Sequence, residues 1–333
     1  MISVPVVDPS QIAEARRYAA EEAARAGFDV DDTGRVALVA TELASNIIKH
    51  GGGGELLIGR YEEPDSRGIE LIALDKGPGI ANLQVSIADG YSSSGTAGNG
   101  LGAIYRQSQS VDVASWPNLG TAILARLEPK AQARKKANER ASWGAVTVAM
   151  PGQDVCGDAW SIDESATSRT LLVVDGLGHG PDAAEAAMQA VRVFHRHKDH
   201  HVDTLLEYIH GALRATRGAA VSIARIDRAA QKIVYAGIGN IAGVAVGDGG
   251  VKHMISLAGT AGHNARKIQA FEYLFTDGIV IMHSDGLGTS WNLDRYPGLT
   301  RAHPTLVAAV LYRDYARGRD DVTVLVARGL GAP

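Results

Sequence analysis

Leu171–Gly180, LLVVDGLGHG, is the stretch from which the fold of the second half can be read. Four apolar residues run straight into Asp175, and Gly176, Gly178 and Gly180 then break the run. An apolar run of this length bounded by glycines predicts a buried strand that ends in a tight loop. The loop presents one carboxylate beside bare backbone, with His179 four residues on. Carboxylate, carbonyl and water oxygens suit a hard divalent cation such as Mg²⁺ or Mn²⁺. Alone, Asp175-Gly176 reads as an ordinary turn. It is not alone: Asp158 (VCGD), Asp285 (HSDGLG) and Asp320 (GRDDVT) recur along the same half, each at the edge of a strand-like run. Four separated acids beside glycines predict a metal centre assembled from several loops.

The 333 residues are long enough for two domains with their own cores. A net charge of −4 gives no basic field that would recruit nucleic acid or an acidic membrane surface. The single cysteine, Cys156, excludes a disulfide framework and a thiolate zinc site, and suits a reducing cytoplasm. The first residues, MISVPVVDPS, lack a charged segment followed by a long apolar one, and no apolar run approaches membrane-spanning length.

In the first half, Ile2–Val7 reads as a strand, and Asp8-Pro9 opens a helix that Gly27 closes. A second helix from about Asp31 carries the apolar stripe Val36, Val39, Ala40, Leu43 and Ile47. Glu42 and Asn46 are four apart and share one face of that helix. Strands at Leu56–Tyr61 and Ile69–Leu74 follow, the second running into Asp75-Lys76-Gly77-Pro78-Gly79. Gly98-Asn99-Gly100-Leu101-Gly102 then leads into a helix over Ala103–Ser110. Glycines that open a helix leave backbone N–H groups free for phosphate oxygens. Val111–Ser115 and Thr121–Leu127 close this half as a hairpin.

ELASN, DKGPG and GNGLG, in this order, resemble the three nucleotide-binding boxes of the GHKL ATPase fold, closest to the short RsbT/RsbW-type serine/threonine kinases of partner-switching systems. The resemblance covers roughly residues 1–128. It implies that Asn46 chelates Mg²⁺ between the phosphates of ATP, and that Asp75 accepts from the adenine amino group. Gly77 and Gly79 would line the base, Gly98, Gly100, Leu101 and Gly102 would wrap the phosphates, and Thr121 would complete the adenine contact. Glu42 stands where these kinases carry the base that orients the acceptor hydroxyl. Ser45 departs from the arginine common at that position.

Residues 129–141 read as a charged linker, expected to form a short helix. Beyond it, strands are expected at Ser142–Met150, Cys156–Ile162, Arg169–Val174, Ala219–Ile226, Lys232–Gly237, Ile241–Val246, Gly278–Ser284 and Val322–Ala327. Helices are expected over Asp182–His197, Val202–Thr216 and Pro304–Ala316. His195, His197, His200 and His201 bracket a helix end beside charged neighbours and read as a solvated cluster. Strands in two runs with helices between them predict two packed sheets flanked by helices. CGD, VVDGLGHG, HSDGLG and GRDDVTVLV resemble the RsbX/SpoIIE branch of the type-2C (PPM) serine/threonine phosphatases over nearly all of 142–329. By that resemblance Asp175 bridges two metal ions, Mn²⁺ or Mg²⁺, with the Gly176 carbonyl as a further ligand. Asp158, Asp285 and Asp320 complete the shell, and His179 is the candidate acid for the leaving group.

The expectation is therefore a fold of two α/β (α+β) domains: a GHKL (Bergerat) sandwich over 1–128 and a PPM-type two-sheet β-sandwich over 142–333. In function it is a cytoplasmic, bifunctional regulator that phosphorylates and dephosphorylates Ser or Thr of a partner protein. The resemblance implies a STAS-domain or stressosome-type substrate and a downstream regulator. The alternative is a phosphatase whose first half only senses ATP, or sequesters a partner in the manner of an anti-sigma factor.

Overall fold

A computed structural model describes residues 1–63, 66–80, 99–130 and 141–331. The chain divides into two compact units: Met1–Arg140 with Asp294–Arg313, and Ala141–Leu293 with Asp314–Pro333. The expected linker helix and Gly98 lie largely outside the described residues, which exclude 131–140 and 81–98.

The first unit is built on one antiparallel sheet in the order β1-β2-β3-β5-β4. Its strands are β1 (Ile2–Val6), β2 (Gly54–Glu63), β3 (Ser66–Asp75), β4 (Ser110–Ser115) and β5 (Thr121–Leu127). Helices α1 (Ser10–Arg25), α2 (Val30–Gly51) and α3 (Asn99–Gln107) cover one face. The 3.6-residue period of α1 and α2 fixes which side chains turn inward: Ala15, Ala19 and Ala23 from α1, and Val36, Val39, Ala40, Leu43 and Ile47 from α2. They meet Leu56, Ile58, Ile69, Leu71, Ile123 and Leu127 of the sheet. The Asp8 carboxylate accepts from the Ser10 N–H (2.9 Å) and the Asp29 carboxylate from the Asp32 N–H (2.7 Å), so an aspartate side chain satisfies a free donor at each helix start. Gly52, in the left-handed region at φ 71°, ends α2. The third helix begins at Asn99, earlier than the expected Ala103, so Gly100 and Gly102 lie inside its first turn and not in a preceding loop.

The opposite face of this sheet carries Leu57, Ile72, Leu74 and Leu124 together with Glu55, Glu70 and Arg126, as the cross-strand register requires. Helix α6 (Pro304–Tyr315) crosses it. Thr305 lies 3.4 Å from an Arg126 guanidinium nitrogen near one end, and Tyr312 donates its hydroxyl to Glu55 (2.9 Å) near the other. Buried Arg126 is neutralised by Glu70 and Glu63, at 3.1 and 2.6 Å.

The second unit packs two five-stranded antiparallel sheets face to face, in the orders β13-β10-β9-β8-β7 and β12-β11-β14-β15-β6. The first comprises β7 (Asp158–Glu164), β8 (Ser168–Gly176), β9 (Ala219–Asp227), β10 (Lys232–Ile238) and β13 (Phe271–Leu274). The second comprises β6 (Trp143–Val148), β11 (Ala242–Gly247), β12 (Gly250–Met254), β14 (Ile279–His283) and β15 (Val322–Arg328). Leu171, Val173, Ala224, Ile226 and Tyr235 from one sheet interleave with Ala145, Ala245, Val280, Met282 and Leu325 from the other. Alternate residues of the first sheet, Leu172, Val174, Val221 and Ile223, face helices α4 (Pro181–His197) and α5 (Val202–Ala212) instead. β8 is thus buried on both sides, which is why its sequence is a continuous apolar run and not an alternating one. β12 and β13 were not expected: GVKHM and FEYL are short, with mostly exposed or half-buried residues, and carry little apolar signal.

Candidate functional sites

Two groups of side chains emerge, one in each unit. In the first, Glu42 and Asn46 project from successive turns of α2, both half-buried. The first turn of α3 is packed against them. A Cβ on Gly100 would sit 2.9 Å from a Glu42 carboxylate oxygen and 3.5 Å from the Asn46 side-chain oxygen, so a larger residue there would push the Glu42 carboxylate aside. The first backbone N–H groups of a helix have no carbonyl partner earlier in it, and such groups are the kind of donors that anionic oxygens take. Leu101 is half-buried and packs on the main core, which fixes the turn in place. A guanidinium nitrogen of Arg106 lies 3.0 Å from the Cβ position of Gly102.

Asp75 closes β3. Its Oδ1 accepts from the Gly77 N–H (2.8 Å) and the Thr121 N–H (3.2 Å). Burial raises the Asp75 pKa, and these two donors hold it down in part. The surrounding backbone approaches closely: a Cβ on Gly51 would fall 2.4 Å from that of Asp75, and one on Gly79 2.2 Å from the Trp116 carbonyl oxygen. Gly79 also has φ +74°, a second reason for glycine at that position. Ser115, which sequence reasoning missed, ties the pieces together. Its hydroxyl accepts from the Ile80 N–H (2.8 Å) and lies 2.9 Å from the Thr121 hydroxyl. The only signal for it is the hairpin register, which sets Ser115 opposite Thr121.

In the second unit, the register of β7 with β8 places Asp158 directly opposite Asp175. Asp285 follows β14 and Asp320 precedes β15, and these two strands are antiparallel neighbours. Asp158 is 6% exposed and accepts from the hydroxyl of fully buried Ser284 (2.6 Å), which itself accepts from the Thr323 N–H (2.9 Å). Asp285 accepts from the Asn240 side-chain amide (2.6 Å). Neither Ser284 nor Asn240 stands out in the sequence, because a lone serine or asparagine carries no spacing signal. Asp321 is 3% exposed and receives the Met150 and Gly157 N–H groups, each at 2.8 Å, so it clamps the loop before β7. His179 is exposed on the glycine loop. At Gly176 a Cβ would strike the Ala183 carbonyl oxygen at 2.2 Å, and Gly178 and Gly180 have φ of 87° and 76°.

Burial raises the pKa of Asp158, with Asp321 and Asp320 adding repulsion and Ser284 pulling the other way. Burial also raises that of Asp175, reinforced by Asp158, Asp285, Asp320 and Asp321. Among the described residues no three His, Cys, Asp or Glu side chains converge as a ready-made cage. The donor set nonetheless fits a hard divalent cation: all oxygens, two of them on opposed carboxylates whose mutual repulsion a cation would remove. The Cys156 thiol is pushed far up by burial and by Asp158 and Asp321, which leaves it unreactive. The histidines make local contacts: His195 with Ser161 (2.9 Å), His197 stacked on Tyr208 (4.1 Å between centroids) with His200 edge-on to both, and His201 with Asp203 (2.7 Å). No helix among the described residues is long and apolar enough to cross a membrane.

Residues 6–127 match the histidine kinase-like ATPase domain family, and residues 166–329 match the stage II sporulation protein E (SpoIIE) family. The serine/threonine-protein kinase RsbT of Bacillus subtilis (strain 168) is 32% identical over 122 residues, 37% of this chain and 92% of RsbT. The phosphoserine phosphatase RsbX of the same organism is 24% identical over 138 residues, 41% of this chain and 69% of RsbX. A chain solved in work on the bacterial stressosome as a modular system aligns with TM-score 0.54 and 29% identity, over 57% of this chain and 100% of its own length. RsbX crystallised in complex with magnesium shares the fold at TM-score 0.51 and 19% identity, over 58% of this chain and 98% of its own. The chain belongs to the histidine kinase-like ATPase family through its RsbT-like N-terminal part, which is joined to a SpoIIE/PP2C-type, RsbX-like C-terminal part.

Proposed function

We propose that this chain is a bifunctional regulator whose first unit transfers phosphate from ATP to Ser or Thr of a STAS-domain partner and whose second unit removes it. The observation that carries the reading is the meeting of Glu42, Asn46 and the Gly100 turn. A carboxylate and an amide share one helix face, and the first turn of another helix is packed on it. A nucleotide sensor needs that turn and the amide, but has no use for the carboxylate.

In this reading Asp75 selects adenine by accepting from its amino group, with Thr121 and Ser115 holding that carboxylate and the adjoining loop in place. Asn46 holds Mg²⁺ with the ATP phosphates. Glu42 receives the hydroxyl proton of the acceptor residue as transfer proceeds. On the second unit Asp158, Asp175, the Gly176 carbonyl, Asp285 and Asp320 would hold divalent cations, either Mg²⁺ or Mn²⁺. Such ions lower the pKa of bound water and clamp a phosphoryl group. Ser284 and Asn240 fix the carboxylates of Asp158 and Asp285 in orientation. In this reading exposed His179 would donate a proton to the leaving serine or threonine oxygen.

The test is to mix the purified chain with ATP, Mg²⁺ and candidate STAS partners, and follow phosphate on and off by mass spectrometry. Transfer to a serine or threonine that is reversed on adding Mn²⁺ supports the reading. Nucleotide binding without transfer to any partner favours the sensing alternative.

A further inference from the structure

The segment Asp294–Arg313 belongs by its packing to the nucleotide unit, yet in sequence it lies between Asp285 and Asp320 of the second unit. Several of its anchors lie at Asp75 and the Trp116 hairpin. The Arg313 guanidinium donates to the backbone carbonyl of Asp75 (3.0 Å). The Pro297 carbonyl accepts from the Trp116 indole N–H (3.0 Å), and Tyr296 packs edge-on against the same ring, with centroids 5.2 Å apart. The Trp116 carbonyl is in turn the group against which Gly79 is pressed. The Asp112 carboxylate receives the His303 N–H (2.6 Å) just before α6.

The two ends of the excursion are stitched together inside the second unit. Gly288 N–H donates to the Tyr315 carbonyl and Arg317 N–H to the Gly286 carbonyl, each at 2.9 Å, with Leu287 bridged to Ala316. One strand of this short stalk adjoins Asp285 and the other leads to Asp320. Asp75 thus carries two loads: its carboxylate, which the nucleotide reading sets against the base, receives the Gly77 and Thr121 N–H groups, and its carbonyl holds Arg313. A ligand shifts an equilibrium only by binding one state better than another. A nucleotide that reseats Asp75 and the Trp116 hairpin favours one seating of residues 294–313, and each end of that segment reaches a carboxylate within a few residues of the stalk.

We propose that residues 294–313 make the phosphatase a reader of the nucleotide site, so that adenine nucleotide bound at Asp75 changes the divalent-cation affinity of the acids that the stalk carries. This rests on the nucleotide-site reading given above. Linkage makes the effect reciprocal: the cation changes nucleotide affinity by the same factor.

The experiment uses the full chain, a non-hydrolysable ATP analogue and Mn²⁺ as probes, with calorimetry for both ligands and hydrogen exchange over 294–313. The expected result is a shift of about 5-fold or more in the Mn²⁺ dissociation constant when the analogue is bound, an equal shift in the reverse titration, and altered exchange in α6. Arg313→Met and, separately, Trp116→Phe retain binding of both ligands while the factor falls towards one. Should the analogue not bind, the nucleotide reading and this inference fall together. Should both ligands bind with a coupling factor of one and unchanged exchange, only this inference is overturned.

Discussion

Asp158 and Asp175 face each other across neighbouring strands, a buried and a half-buried carboxylate in direct register. Like charges directly opposed on a sheet destabilise it unless something positive lies between them. Above pH about 8, where both carboxyls are ionised, Asp175→Asn is therefore expected to raise the melting temperature of the metal-free protein, remove most of the further rise that Mn²⁺ gives the wild type, and abolish dephosphorylation. Thermal melts with and without Mn²⁺ check the first two, and phosphopeptide turnover the third. Transfer from ATP should persist in this variant.

The same pair sets a pH dependence. Both carboxyls titrate above their ordinary value of 3.8, Asp158 near about 7 and Asp175 near about 8, chiefly because of burial. The folded state therefore holds protons that the unfolded chain has already lost. In the absence of metal, stability contributed by these groups is full below pH 3.8 and is lost as pH rises through about 7 to about 8. Mn²⁺ competes for the same sites, so its affinity should climb over that interval and its binding should release protons. Calorimetry in buffers of different ionisation enthalpy measures the release, and a proton count of zero at pH near 7 contradicts the assignment.

Asp75→Asn keeps an oxygen for the Gly77 and Thr121 N–H groups, so the loop should stay folded. On the nucleotide-site reading it loses the charge that would accept from the adenine amino group, about 1.5–3 kcal/mol for a charged hydrogen bond. Nucleotide affinity measured by calorimetry should fall accordingly, with an unchanged melting temperature.

Glu42→Gln removes a proton acceptor but neither the Asn46 amide nor the Gly100 turn. ATP should bind nearly as in the wild type, while transfer to the partner slows by about 10²–10⁴-fold, the usual worth of a general base. Single-turnover phosphorylation under saturating ATP separates the two effects.

Asp320 and Asp321 should behave oppositely. Asp321 serves two buried N–H groups, and Asp321→Ala strands them at about 1–3 kcal/mol each, which lowers the melting temperature sharply. The Asp320 carboxylate accepts from the N–H of its neighbour Asp321 (3.0 Å), a bond that makes no connection to another segment. Asp320→Ala should leave the metal-free melt almost unchanged and weaken Mn²⁺ binding.

Much of this was legible in the sequence because the decisive signals are local. The glycines at 176, 178 and 180 and the continuous apolar run of β8 mark a doubly buried strand ending in a loop. The inward stripe of α2 follows from its period alone. What stayed hidden depends on groups far apart in sequence. Ser284 reaches Asp158 across 126 residues and Asn240 reaches Asp285 across 45, and neither residue type announces such a role. β12 and β13 were missed because edge strands with exposed side chains lack an apolar pattern. The placement of residues 294–313 with the first unit was hidden for the same reason: its anchors are single polar contacts, not a spacing.

That placement also sets an order of events during synthesis. Arg126 is translated early, yet the Thr305 hydroxyl that lies against it comes 179 residues later. At ribosomal speeds of about 5–20 residues per second, this is a wait of roughly 9–36 seconds. Throughout it the newly made sheet has one face finished by α1 and α2, while the strip of Leu57, Ile72 and Leu124 still awaits the helix that crosses it. The nascent first unit is thus a half-dressed sheet that must be kept from self-association until Pro304–Tyr315 has emerged.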